Sequence, residues 1–165
     1  MSTAPRLVPS ANVVYNTMPA FVPCGKRLFK TMQDAIADLP GHMGRVIIAA
    51  FFVFDGASMP WFCWSILRLY PTHPLVVFAA YLHDAAYRSH LISRAKADWM
   101  FYKVCRAQRL DKTRAVIMYV FLRAFGWRAY RRHRSTIARA RTQVQWFTNI
   151  EPLMDANVHQ SGSTP

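Results

Sequence analysis

Three runs of helix-forming residues follow one another closely, and each is entered through a residue suited to a first turn. Pro74 opens a run over 75–89, Ser93 caps a second over 94–109, and Asp111 caps a third over 112–125. About four residues separate the first two runs, so these helices must lie side by side and antiparallel. At ~1.5 Å rise per residue, Asp84 and Asp98 then stand within roughly 2 Å of the same height. Helix rotation decides whether they face each other, and the sequence leaves that open.

The remainder of the chain reads as a smaller β part and two loose ends. Residues 1–20 carry Pro5, Pro9 and Pro19 without sustained periodicity and read as an extended arm. Residues 21–29 suit a strand or hairpin arm. Thr31 suits the cap of a brief helix over 32–39, stopped by Pro40 and Gly41. Residues 44–54 are β-branched and aromatic with Gly44 at the head, and read as one buried strand. Ser58 suits the cap of a helix to residue 69, with Pro60 in its first turn. Gly126 suits an interruption before a last basic segment over 127–147, and residues 148–165 read as a flexible tail. The expected fold class is α+β, mostly helical. A β region over 21–57 packs on a body of four to five helices over 58–147, together one domain of the 165-residue chain.

A composition 53% hydrophobic and 14% aromatic is enough for a core and excludes disorder by composition. The net charge is +13, and Glu151 is the sole glutamate. Residues 99–150 hold twelve Lys and Arg against one acid, Asp111. A field of that sign favours nucleic acid, anionic lipid or an acidic protein partner. Cys24, Cys63 and Cys105 are odd in number and form no close pair, which reads as reduced thiols rather than a disulfide framework. The start M-S-T-A-P-R lacks the pattern of a secretion signal, and no apolar run approaches the ~20 residues of a spanning helix.

With so few acids, three clusters stand out: D-G-A-S-M-P at 55–60, H-D-A-A-Y-R at 83–88 and S-R-A-K-A-D-W-M-F at 93–101. His83, Asp84 and Asp98, with Asp55 arriving from a strand end, supply the nitrogen and oxygen donors that suit Zn²⁺, Mn²⁺ or Mg²⁺. Such a metal with an open position would activate water for hydrolysis. A structural reading competes: Asp84 pairs with Arg88 and Asp98 with Arg94 at i, i+4, His83 donates to Asp98, and Ser58 and Tyr87 complete a buried polar network. Neither a nucleophile elbow nor a glycine-rich phosphate loop is present. In the basic segment, Arg128, Arg131, Arg132, Arg134, Arg139 and Arg141, interleaved with Trp127 and Tyr130, suit phosphates or the acids of a neighbouring subunit.

The three clusters, in this order, resemble an uncharacterised family of small tailed-phage and prophage proteins, catalogued as a domain of unknown function. Its pattern is a strand ending in D-[FG]-A-S-x-P, then H-D-x-x-Y, then R-x-x-A-D-x-x-F. Here these are Asp55 to Pro60, His83 to Tyr87, and Arg94 to Phe101. The resemblance covers roughly residues 44–127 and implies a phage source and a helical fold with a small sheet. It carries no established activity. The expected function is therefore a virion structural or assembly protein of the tail or baseplate. Its arm and Arg-rich helix would meet other virion proteins, in the particle or in the host cytoplasm during assembly. The alternatives are a small metal-dependent hydrolase using His83, Asp84 and Asp98, and a basic DNA-binding accessory protein.

Overall fold

The computed structural model describes residues 14–17, 19–25, 28–40, 43–55, 67–68, 73–132 and 137–147. Among these, strands β1 (Val14–Thr17), β2 (Phe21–Gly25), β3 (Leu28–Thr31), β4 (Ala35–Leu39), β5 (Gly44–Ile48) and β6 (Val53–Phe54) precede helices α1 (Pro74–Ser89), α2 (Arg94–Ala107), α3 (Lys112–Arg132) and α4 (Ile137–Gln143). Strand β7 (Val144–Phe147) follows α4 and returns to the N-terminal region. All pairings are antiparallel, in a four-stranded sheet of order β1-β4-β5-β7 and a three-stranded sheet of order β2-β3-β6. The α+β class expected from the sequence is the one observed.

Three local expectations fail, each because a distant partner decides the outcome. Residues 35–39 are strand β4, not part of a helix. Ala35, Ala37 and Leu39 alternate inward, opposite Ile48, Val46 and Gly44 of β5, so period 2 outweighs the helix propensity of alanine. On the outer face Arg45 clamps its cross-strand partner Asp38, with Nε and Nη2 donating at 2.6 and 2.9 Å.

The second failure concerns residues 44–54, which are not one strand. The chain leaves the larger sheet after Ile48, turns through Phe51 at φ 62°, and enters the smaller sheet as β6. Asp34 holds this corner by accepting the Ala50 N–H at 2.7 Å, while Phe51 N–H donates to the Thr31 carbonyl at 2.8 Å. Third, the basic segment expected over 127–147 is not set off from the helix before it: Trp127 to Arg132 finish α3, and α4 and β7 follow. The helix expected over 58–69, Cys63, Arg134, most of the arm and the tail lie outside the described residues; Leu67 alone of that helix is seen to be buried.

Helix α1 is the central element. The His73 ring caps it by accepting the Leu75 N–H at 3.3 Å, Pro74 starts it, and His90 ends it in a left-handed conformation. It is buried on nearly every face, with Tyr81 against Phe54 at 5.1 Å, Phe21 at 5.4 Å and Phe52 at 5.9 Å between ring centroids. This aromatic knot fastens the smaller sheet to the helical body. Ser93 and Asp111 cap α2 and α3 as expected, accepting the N–H groups of Lys96 and Arg114.

Helix α3 runs unbroken through Gly126, which was expected to interrupt it. A Cβ at that position would lie 2.5 Å from the Tyr87 hydroxyl oxygen, so glycine is what lets α3 close on α1. Gly126→Ala is therefore expected to lower stability: overpacking costs about 1–3 kcal/mol and exceeds the ~1 kcal/mol that alanine gains in a helix. Urea unfolding measures this. In a Tyr87→Phe background, where the clashing oxygen is gone, the same substitution should no longer destabilise.

Candidate functional site

Asp84 and Asp98 stand at similar heights on adjacent helices yet point into different surroundings, because neighbouring residues on α1 face ~100° apart. His83 and Tyr87, one turn apart on α1, face α2; Asp84 and Arg88 face the β corner. The four residues expected to meet at one point thus divide into two neighbouring clusters.

The first cluster is centred on Asp98, whose side chain is fully buried. His83 Nε2 donates to Oδ1 at 3.0 Å, and the Tyr87 hydroxyl donates to the same oxygen. Arg123, arriving from α3, donates through Nη1 to Oδ2 at 2.9 Å, and Arg94 Nη1 stands 3.7 Å from that oxygen. Arg94 also donates to the carbonyls of Arg123 at 3.0 Å and Leu122 at 3.4 Å, tying α2 to α3. The imidazole lies between rings, 4.0 Å from Tyr87 and 5.6 Å from Phe101. Burial would push the Asp98 carboxyl up, but hydrogen bonds from His83, Tyr87 and Arg123 outweigh it and hold the group below the usual carboxylate range. Burial and the Asp98 charge push the Tyr87 hydroxyl well up, so it stays a donor.

The second cluster sets Arg88 between Asp84 and Asp55. Arg88 Nε donates to Asp84 Oδ2 at 2.8 Å, and its Nη2 is 3.9 Å from Asp55 Oδ1. Burial pushes the Asp84 carboxyl up to about 7; the Arg88 charge opposes this and the Asp55 charge adds to it. Two aspartates fourteen positions apart thus shift in opposite directions, according to how many donors each receives.

The four donors named for a metal, His83, Asp84, Asp98 and Asp55, are not gathered at one point. Among the described residues no group of three or more His, Cys, Asp or Glu side chains is placed to hold a metal ion. Both Asp98 oxygens already accept donors, two at Oδ1 and one at Oδ2, and two arginines stand beside Oδ2 where a cation would have to approach. The i, i+4 pairs Asp84–Arg88 and Asp98–Arg94, and the His83–Asp98 contact, take the arrangement of the structural reading. Ser58 lies outside the described residues. The basic segment is also divided. Arg128 and Arg131 stack on Trp127 at 5.6 and 5.3 Å, Arg132 is exposed on α3, and Arg141 donates to the Ser89 carbonyl at 3.0 Å. Arg139 stands apart from these, beside the β corner. Sequence reasoning missed Arg123. Its only signal was a cation amid the apolar residues of 115–122 and Phe125, where a partner acid is needed.

The fold and its polar centre define a small α+β protein in which three helices are locked around one buried carboxylate. The family model for proteins of unknown function, DUF1353, matches residues 33–122, just over half of the chain, and the chain belongs to that family. The matched span runs from β4 through the Asp98 cluster and ends one residue before Arg123. No curated protein and no solved structure matches the chain.

Replacing Asp98 by Asn leaves two arginines and a histidine around a weaker acceptor, and is expected to cost about 3–5 kcal/mol by chemical denaturation. Asp84 carries the opposite sign. Its folded-state pKa of about 7 lies above the ~4 of an unfolded aspartate, so the folded chain holds an extra proton between those values. That contribution is fully present below about pH 4 and is lost as the pH rises towards 7. Asp84→Asn should remove this decline, so that the variant gains on the wild type between pH 5 and pH 7.5 in paired urea titrations.

Proposed function

We propose that this chain is a structural or assembly protein of a tailed phage, associated with the tail or baseplate, and that α3 is its docking element. One observation carries the docking role: α3 exposes large apolar side chains as well as burying them. Ala115, Met118, Leu122 and Gly126 are buried inward. Val116, Val120 and Trp127, which share one helix face, are 40%, 56% and 46% exposed, and Phe125, on another flank, is 52% exposed. A strip of exposed apolar side chains along one helix face marks a contact surface.

The sequence of α3 contains no acid, and Arg114, Arg128 and Arg131 edge the strip. Like charge disfavours a second copy as the occupant, and the fitting partner is another virion protein with an apolar strip bordered by carboxylates. The phage assignment is supported by the order of the D-G-A-S-M-P, H-D-A-A-Y and R-A-K-A-D-W-M-F motifs. The engagement of Asp98 by His83, Tyr87 and Arg123 supports a structural role over metal-dependent hydrolysis.

Quantitative mass spectrometry of purified, washed particles is the test, with the chain expected at a fixed copy number per virion. Recovery from the host lysate alone would refute the proposal. Val120→Asp, at a position facing water, should unfold like the wild type and yet be missing from particles.

A further inference from the structure

Between the β5–β6 corner and α4 the surface opens into a cleft of about 200 Å³. Phe51, Phe52 and Val53 wall one side, and Arg88, Arg139 and Gln143 contribute to the other. Among the described residues that line it, the charged ones are Arg88 and Arg139, with Asp84 and Asp55 behind Arg88. Arg88 is held in place through Nε by Asp84, while its Nη2 lies 3.9 Å from Asp55, outside hydrogen-bond range. Its terminal N–H groups are therefore oriented but still able to serve an incoming acceptor. Arg139 projects from α4, a helix with no acid in its sequence, and its exposed side chain supplies the second guanidinium.

Phe51 supplies a different kind of contact. A phenylalanine at φ 62° occupies the left-handed region that bulky residues avoid, and strain of this kind clusters at functional sites. Its ring is also 59% exposed at the cleft wall. An anion clamp beside a water-facing aromatic ring suits a molecule with a phosphate at one end and a flat base at the other. The cleft is smaller than the ~300 Å³ at which whole-ligand pockets begin. It therefore accommodates phosphate and sugar and leaves the base at the rim, on the wall that Phe51 forms.

We infer that this cleft binds a nucleotide by its phosphate. Arg88 and Arg139 take the phosphate oxygens and Phe51 stacks on the base, whether the nucleotide is free or terminates a strand. This site needs no glycine-rich loop, because guanidinium groups replace the backbone donors such loops provide.

Isothermal titration of the full chain with adenosine 5′-monophosphate, and separately with inorganic phosphate, tests the assignment. Both should bind saturably, and Arg139→Ala should weaken each about tenfold, the loss expected for a charge-assisted hydrogen bond. Phe51→Gly deletes the ring and tolerates the backbone angle; it should weaken the nucleotide several-fold and leave phosphate unchanged. Arg109→Ala, away from the cleft, should alter neither. Absence of saturable nucleotide binding overturns the inference. So does Arg139→Ala binding as tightly as the wild type, Phe51→Gly leaving nucleotide affinity intact, or equal losses in Arg109→Ala and Arg139→Ala, which would reveal diffuse charge attraction. An oligothymidylate with and without a 5′-phosphate separates the sources. Preference for the phosphorylated strand assigns a strand end, and binding of the mononucleotide alone assigns a free nucleotide.

Discussion

A carboxylate withdrawn completely from water is what the helical body is arranged around. An isolated charge in that position would be prohibitively costly, and it is tolerable only where donors surround it. Asp98 receives them from all three long helices: His83 and Tyr87 from α1, Arg123 from α3, and Arg94 from its own α2. Each contact fixes a rotation. If α1 turned by one residue, Asp84 would replace His83 opposite Asp98 and two carboxylates would meet. If α3 turned, Arg123 would leave and Gly126 would no longer face Tyr87. The cluster thus selects one packing of three amphipathic helices that apolar contacts alone would leave less determined, which is the role best supported for buried ionic groups.

Asp84 sits in different surroundings. It is buried beside Asp55, pairs with Arg88, and retains a proton near neutrality chiefly because of that burial. Arg88 in turn is anchored at Nε, with its terminal N–H groups beside the cleft that Arg139 also lines. One helix, α1, therefore carries two polar faces of opposite character. The His83 face is hydrogen-bonded to α2 and locks neighbours together; the Arg88 face is oriented and borders the cleft. Adjacent positions in the sequence, His83 and Asp84, lead to these different outcomes because one residue of helix is ~100° of rotation.

Much of the helical body was legible because its determinants are local. Ser93 and Asp111 are caps whose partners lie three residues on, and the Asp84–Arg88 and Asp98–Arg94 pairs are i, i+4 neighbours. What the sequence hid was non-local. Residues 35–39 contain alanines that suit a helix, and pairing with β1 and β5 on either side makes them a strand. Residues 44–54 look like one apolar strand, and the turn at Phe51 depends on Asp34 sixteen positions earlier than its partner Ala50. Strand β7 pairs with β5 across about a hundred residues, a contact no local pattern announces. Within the polar centre, equal height of Asp84 and Asp98 could be calculated but rotation could not, so one expected site became two.

The same rotational lock bears on the outer surface. Because Arg123 and Gly126 fix the rotation of α3, Val116, Val120 and Trp127 have no freedom to roll into the core. In a loosely packed bundle such a strip would turn inward at small cost. Here, doing so would strip Asp98 of its arginine and drive a side chain into Tyr87, so the exposed apolar strip is held in place by the charge buried behind it. On the proposed reading this is how a small protein presents a rigid docking face. The ordering of the surface is achieved during folding by the Asp98 cluster, and a partner that covers the strip gains apolar burial without having to order the helix that carries it.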